Sequence, residues 1–167
     1  MMTPPPSSSP HPSPQYEDEV LKKRIILPNS QKSAIIITIN RPDRLNCFNT
    51  EVCHKLAQTF YDVAEEIQRN DINVGENEHA DQNNNISAVI FTGQGPSFCA
   101  GADLSDPPNP LAQSSDLPHH LRWNPVYQMT RVGVPIIGAL KGHVSEFYLL
   151  CDVSLTATLK HFLKKIK

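Results

Sequence analysis

Three short runs of β-branched residues stand out along the chain. Ala34-Ile-Ile-Ile-Thr-Ile-Asn40 is stopped by Arg41-Pro42-Asp43, the pattern of a largely buried strand followed by a turn. Ile86-Ser-Ala-Val-Ile-Phe91 and Pro135-Ile-Ile-Gly-Ala-Leu140 have the same character. Between the first two runs, Val52, Leu56, Phe60, Val63 and Ile67 recur every three to four positions, which predicts a helix with one face in the core, capped by Asn49 or Thr50. A second helix is expected from Val144 to Cys151, with Phe147, Leu150 and Cys151 on one side. The stretches Arg69 to Asn85 and Asp106 to Pro118 are polar or Pro-rich and read as exposed loops. Strand, helix, strand, loop, strand, helix is an α/β order. No internal repeat is visible.

Length and composition narrow this picture. The 167 residues fit one domain, and 6 of the 15 prolines fall in the first 14 residues, MMTPPPSSSPHPSP. Such a segment cannot bury enough apolar surface to offset the entropy of ordering, so residues 1–21 are expected to be a disordered Pro/Ser-rich tail and 22–167 the folded domain. A ligand for an SH3-type partner is the alternative reading of the tail. Removing the tail and both loops leaves about 110 residues for the core, a size that folds but buries a smaller share of its surface. Lys plus Arg (15) nearly balances Asp plus Glu (17), and no block of one sign occurs, which argues against a nucleic-acid binder. The longest apolar runs are strand-sized, so no membrane partner is expected. The first basic residue is Lys22, without a signal or transit pattern before it, and the four cysteines form no C-x-x-C pair. A reduced, intracellular and in the first instance cytoplasmic setting is the expectation.

The segment after the second strand is the strongest candidate for chemistry. Ile86–Phe91 runs directly into Thr92-Gly-Gln-Gly-Pro-Ser-Phe-Cys-Ala-Gly-Ala-Asp-Leu104, and a strand followed by glycines is a favoured place for a ligand in α/β proteins. Taken in order, Asn40-Arg-Pro-Asp-Arg-Leu-Asn-Cys-Phe-Asn49, Val89–Leu104, Pro135–His143 and Cys151-Asp152 resemble the signatures of the crotonase superfamily, most closely its enoyl-CoA hydratase/isomerase group. The match covers roughly Ile35 to Thr156.

That resemblance implies a spiral of ββα units binding an acyl-CoA thioester, with fatty-acid β-oxidation type chemistry. Coenzyme A would enter as part of the substrate, with no separate cofactor. Trimers or pairs of trimers are the family's common assemblies, so a homo-oligomer or assembly with full-length homologues is implied. Mitochondria, peroxisomes and the cytosol are the family's compartments. In the family, backbone N–H groups stabilise the oxygen of an enolate-like transition state, where preorganised donors in a dry site are most effective. By motif position the first donor is the N–H of Ala102. Gly101 supplies the turn, Asp103 and Leu104 continue the CoA-contacting segment, and Arg44 and Leu45 lie near the CoA moiety. Read without the resemblance, Phe98, Cys99 and Ala100 are a strand-end cluster and Asp103 a helix cap.

Two departures qualify the expectation. The family's second donor comes from a Gly-Gly element before the helix that ends in Cys-Asp. Here the chain reads Gly142-His-Val-Ser-Glu-Phe-Tyr-Leu-Leu-Cys-Asp152, with that element missing between Val144 and Ser145. Glu146, five positions before Cys151, falls where many hydratases carry one catalytic glutamate. It is equally well read as an acid favoured in a helix's first turn. The second carboxylate and the closing helices would follow Cys151-Asp152, yet the sequence ends at Lys167, so the expectation is an incomplete crotonase-like domain. Hydration normally uses two positioned carboxylates, and one base suits a double-bond shift better. His119-His120 has no further ligand at metal-binding spacing and reads as a loop pair, so no metal is expected. Asn85-Ile-Ser87 matches a glycosylation acceptor but needs a secretory route. Lys164-Lys165-Ile-Lys167 solvates the chain end.

Overall fold

The computed structural model describes residues 18–74, 85–105, 123–145 and 151–156. The Pro-rich loop, His119-His120, residues 146–150 of the expected second helix with Glu146 among them, and the proposed tail through residue 17 lie outside those residues. Val144 and Cys151, the ends of that expected helix, are in a bridge and a bend, and residues 18–21 are not tail, since Val20 is buried and opens the first strand.

Five strands form one sheet in sequential order: β1 (Val20–Ile26), β2 (Lys32–Ile39), β3 (Asn85–Gly93), β4 (Ile136–Leu140) and β5 (Val153–Thr156). β1 and β2 make an antiparallel hairpin, with Arg24 opposite Ile35, and every later pairing is parallel. The β2–β3 register slips once, between Ser33 and Ala34. The three β-branched runs are thus the three central strands. β1 was not legible as a strand because Lys22, Lys23 and Arg24 interrupt its apolar pattern, as suits a strand at the edge of a sheet.

Parallel strands need a crossover, and the helix α1 (Thr50–Val74) supplies the one between β2 and β3. Asn49 is its cap: the side-chain oxygen accepts from the Val52 N–H at 2.8 Å. The helix runs five residues past Arg69, into the stretch expected to be loop. Its apolar face, Val52, Leu56, Phe60 and Val63, is wholly buried against Ile35, Ile37 and Ile39 of β2 and Val89 and Phe91 of β3. Phe91 meets Phe60 and Phe98 edge-on, with ring centroids 5.5 and 5.2 Å apart. Burial of each such ring contributes about 1.5–3 kcal/mol, so this cluster anchors the start of the segment that carries the site. A short helix, α2 (Pro125–Thr130), is capped by Asn124 and lies against α1.

Candidate functional site

The loops at the C-terminal ends of β2, β3 and β4 meet above the sheet edge. After β2 the chain makes one 3-10 turn, Pro42–Arg44, and then holds two non-glycine residues in the left-handed region, Leu45 (φ 50°) and Asn46 (φ 58°). Asn tolerates this conformation through local hydrogen bonds, whereas Leu must be forced into it. The enforcing contacts are visible. Asn46 is fully buried, its oxygen accepts from the Arg41 N–H at 2.9 Å, and its nitrogen donates to the Gln94 and Ser97 carbonyls, both at 2.8 Å. One side chain therefore joins the loop after β2 to the loop after β3.

Two glycines make the close approach feasible. A Cβ on Gly93 would lie 2.1 Å from the Phe98 carbonyl oxygen, and one on Gly142 (φ 55°) 2.3 Å from that of Pro96. With these contacts in place, residues 98–103 run as a ribbon between two neighbours. On one side the Phe98 and Cys99 N–H groups donate to the His143 carbonyl, at 3.1 and 3.0 Å. On the other, the Ala100 N–H donates to the Leu45 carbonyl at 3.0 Å, and Phe48 pairs with Ala102 in a parallel bridge. In that bridge the Phe48 N–H donates to the Gly101 carbonyl at 2.9 Å and the Asp103 N–H to the Phe48 carbonyl at 2.8 Å.

The consequence for Ala102 follows from bridge geometry. Both of Phe48's backbone groups are taken by residues 101 and 103, so the N–H of Ala102 itself points away from Phe48. Among the described residues it has no hydrogen-bond acceptor. An oriented, half-buried N–H without an internal partner is suited to bind an oxygen that carries developing charge. Gly101, at φ 115°, supplies the turn, and a Cβ there would meet the Ser145 Cβ at 3.8 Å.

The remaining site residues expected from the sequence fall around this ribbon. Asp103, read without the resemblance as a helix cap, accepts from the N–H two positions on, and the residues that follow Ser105 lie outside the described ones. One carboxylate oxygen is 3.1 Å from the Arg41 guanidinium, and the other accepts from the Ser105 N–H and hydroxyl, at 3.1 and 2.6 Å. Burial pushes its pKa up, but the Ser105 hydrogen bonds and Arg41 outweigh this and leave it below the ordinary carboxylate value. Leu104 is almost fully exposed (95 %), while Leu45 and Arg44 lie exposed on the facing loop. Sequence reasoning assigned no role to Arg41, Asn46, Ser97 or Glu19. Arg41 pairs with Glu19 at 3.1 Å as well as with Asp103, and the buried Ser97 hydroxyl lies 3.1 Å from His143 Nδ1. These pairs are up to 62 positions apart, and no local pattern announces them. Cys47 beside them is no ready nucleophile, since burial and then the Asp103 charge push its thiol pKa up.

Among the described residues no group of three potential ligands is placed to hold a metal, and no helix is long and apolar enough to cross a membrane.

Compared with known proteins, the chain is 31% identical over 141 residues to "Probable enoyl-CoA hydratase 1, peroxisomal" of Arabidopsis thaliana, covering 81% of this chain and 46% of that one. It is also 31% identical over 121 residues to the 1,2-epoxyphenylacetyl-CoA isomerase of Escherichia coli (strain K12), covering 70% of this chain and 40% of that one. The chain belongs to the enoyl-CoA hydratase/isomerase (crotonase) family. No family model matches it. The family fold is seen directly in the likeness to an enoyl-CoA hydratase/isomerase crystal structure from Mycobacterium paratuberculosis, with a TM-score of 0.55 at 22% identity, over 83% of this chain and 49% of that one. The chain thus spans about half the length of the crotonase relatives it matches.

Proposed function

We propose that the chain from Glu19 onward forms an acyl-CoA-binding unit of enoyl-CoA hydratase/isomerase type, with the thioester oxygen held by the Ala102 N–H. The observation that carries this reading is the orientation of that N–H, turned away from Phe48 by the bridge and without an acceptor among the described residues. Leu45 and Leu104 offer exposed apolar contacts, and Arg44 a cation, on the two segments assigned to the CoA moiety. Family membership supports the substrate class, and CoA is again part of the substrate rather than a separate cofactor.

On a 3-enoyl-CoA the proposed chemistry starts with proton removal from the saturated carbon next to the thioester carbonyl. The electron pair moves onto the thioester oxygen, where the Ala102 N–H stabilises it. Glu146 is assigned by motif position as the group that takes the proton. Returning the proton two carbons further along shifts the double bond and needs only this one carboxylate, whereas hydration needs a second group to activate water. The direct junction of Val144 and Ser145 favours a second reading, a subunit that binds acyl-CoA and joins full-length homologues while turning over little itself.

Calorimetry with crotonyl-CoA tests the reading. Binding is expected with crotonyl-CoA, and turnover with 3-butenoyl-CoA, which carries the α proton to be removed; replacing the Gly101–Ala102 amide by an ester, which removes the N–H and weakens the Gly101 carbonyl as acceptor for Phe48, should lower that turnover about 100- to 1000-fold. Absence of binding would overturn the assignment, and binding without turnover would select the second reading.

A further inference from the structure

Arg131 and Arg41 brace different parts of the molecule. Arg131 pairs with Glu65 and Gln128, both at 3.2 Å, and lies over the Tyr61 ring at 5.2 Å, so it holds α2 against α1. Arg41 sits at the loop layer with only 12% of its side chain exposed. One terminal nitrogen donates to the Cys47 carbonyl at 2.7 Å, the other pairs with Asp103 at 3.1 Å, and Nε pairs with Glu19 at 3.1 Å.

We propose that Arg41 is the positioning residue of the Ala102 donor. Cys47 and Asp103 are the immediate neighbours of Phe48 and Ala102, the two bridged residues. By joining them, the guanidinium adds one more rung to a two-strand contact that otherwise rests on three backbone hydrogen bonds, two at Phe48 and one from Ala100 to Leu45. The rung is rigid at each end. Asp103 cannot rotate away because Ser105 holds its second oxygen, and the Arg41 backbone is pinned by its own N–H to Asn46. Glu19, at the entry to β1, fixes the third guanidinium nitrogen and ties the loop layer to the edge of the sheet. A planar fork is needed to reach three acceptors at once, which a lysine ammonium, as a compact point charge on a flexible stem, does not reproduce.

The effect on chemistry is indirect and rests on the acyl-CoA reading above. An oxyanion donor is useful in proportion to how little it must reorganise when charge develops. Arg41 touches no reacting atom. It limits the motion of the Gly101–Ala102 peptide.

The test uses the full chain and two independent readouts. Amide hydrogen exchange by NMR follows the Asp103 N–H, whose protection reports the bridge directly. Isotope-edited infrared spectroscopy follows the 13C-labelled thioester carbonyl of bound crotonyl-CoA, whose stretch falls in frequency when a donor polarises it. In Arg41→Met, Asp103 exchange should accelerate by about 10-fold or more through local opening. In the same variant the carbonyl band should move back toward its free position, and kcat should fall about 10- to 100-fold while KM changes little. Arg41→Lys should recover only part of each change. Arg131→Met is expected to lower thermal stability while leaving both readouts where they were. Asp103→Asn serves the same purpose if Arg41→Met does not fold. Asp103 exchange within a factor of about two of the parent in the folded variant would overturn the proposal, because no local opening would have been released. If the parent binds no crotonyl-CoA, the acyl-CoA reading falls, and the exchange experiment alone decides whether Arg41 braces this peptide.

Discussion

Two isolated bridges close the loop layer above the sheet, and they are held very differently. The Phe48–Ala102 bridge has a backbone hydrogen bond on each side of Ala102, Asn46 beneath it and the Arg41 network beside it. The Cys99–Val144 bridge has the His143 carbonyl, accepting from both Phe98 and Cys99, and beyond Val144 a Ser145 hydroxyl 3.4 Å from the Cys99 sulfur. The first bridge presents the proposed donor. The second is where the family's Gly-Gly element would follow, and here the chain passes from Val144 straight to Ser145. One half of the proposed oxyanion site can therefore be well held while the other is short, because each half is built on a different pair of loops.

The largest expected effect comes from changing the short half. Inserting a Gly-Gly-containing segment between Val144 and Ser145 should raise turnover of 3-butenoyl-CoA about 100- to 1000-fold if it restores a second donor. Steady-state kinetics on the inserted chain beside the parent checks this, and no gain would mean that the second bridge lacks more than the missing residues. Next comes the support common to both halves. Gly93→Ala forces a Cβ into the space of the Phe98 carbonyl and should cost about 3 kcal/mol of stability by overpacking, read from urea unfolding. A cost under about 1 kcal/mol would show that the loop layer yields, and that the contrast in rigidity between the bridges is overstated.

The smallest effect is a pH dependence confined to the well-held half. Asp103 titrates below its ordinary value, so its contribution is present above about pH 4 and is lost as pH falls through the depressed value. Glu19 has the opposite sign. Burial, partly offset by Arg41, pushes its pKa up, and one of its carboxylate oxygens is buried without a hydrogen bond. Its contribution is therefore present below its ordinary value and is lost as pH rises through the raised one. Glu19→Gln should remove that second component, a change of under about 1 kcal/mol, measured as the difference in thermal midpoint between acid and neutral pH. An unchanged pH profile would mean that Glu19 is not coupled to the network in solution.

How legible these features were in the sequence depended on the range over which each one acts. The central strands and α1 come from local periodicity, so Ala34–Asn40, Ile86–Phe91 and Pro135–Leu140 announced themselves, as did the Asn49 cap. Gly101 and Ala102 were located through motif order, and the structure adds the direction of the N–H, which depends on Phe48, more than fifty residues earlier. The Arg41–Asp103 pair and the Asn46 hydrogen bonds to residues 94 and 97 are products of tertiary packing, which no local spacing encodes. β1 was hidden because Lys22, Lys23 and Arg24, in succession, put charge on both of its faces and break the alternating pattern.

The crossover between β2 and β3 also sets an order of events during folding. The β1–β2 hairpin and α1 form from contacts close in sequence, but pairing Ile35 with Val89 closes a loop of about 50 residues. Until that closure occurs, Gly93 has no fixed position from which to direct Phe98–Asp103 past Phe48. The donor peptide is then expected to become ordered only after that closure, and a mutation that slows β2–β3 pairing should delay the site more than the helix or the hairpin.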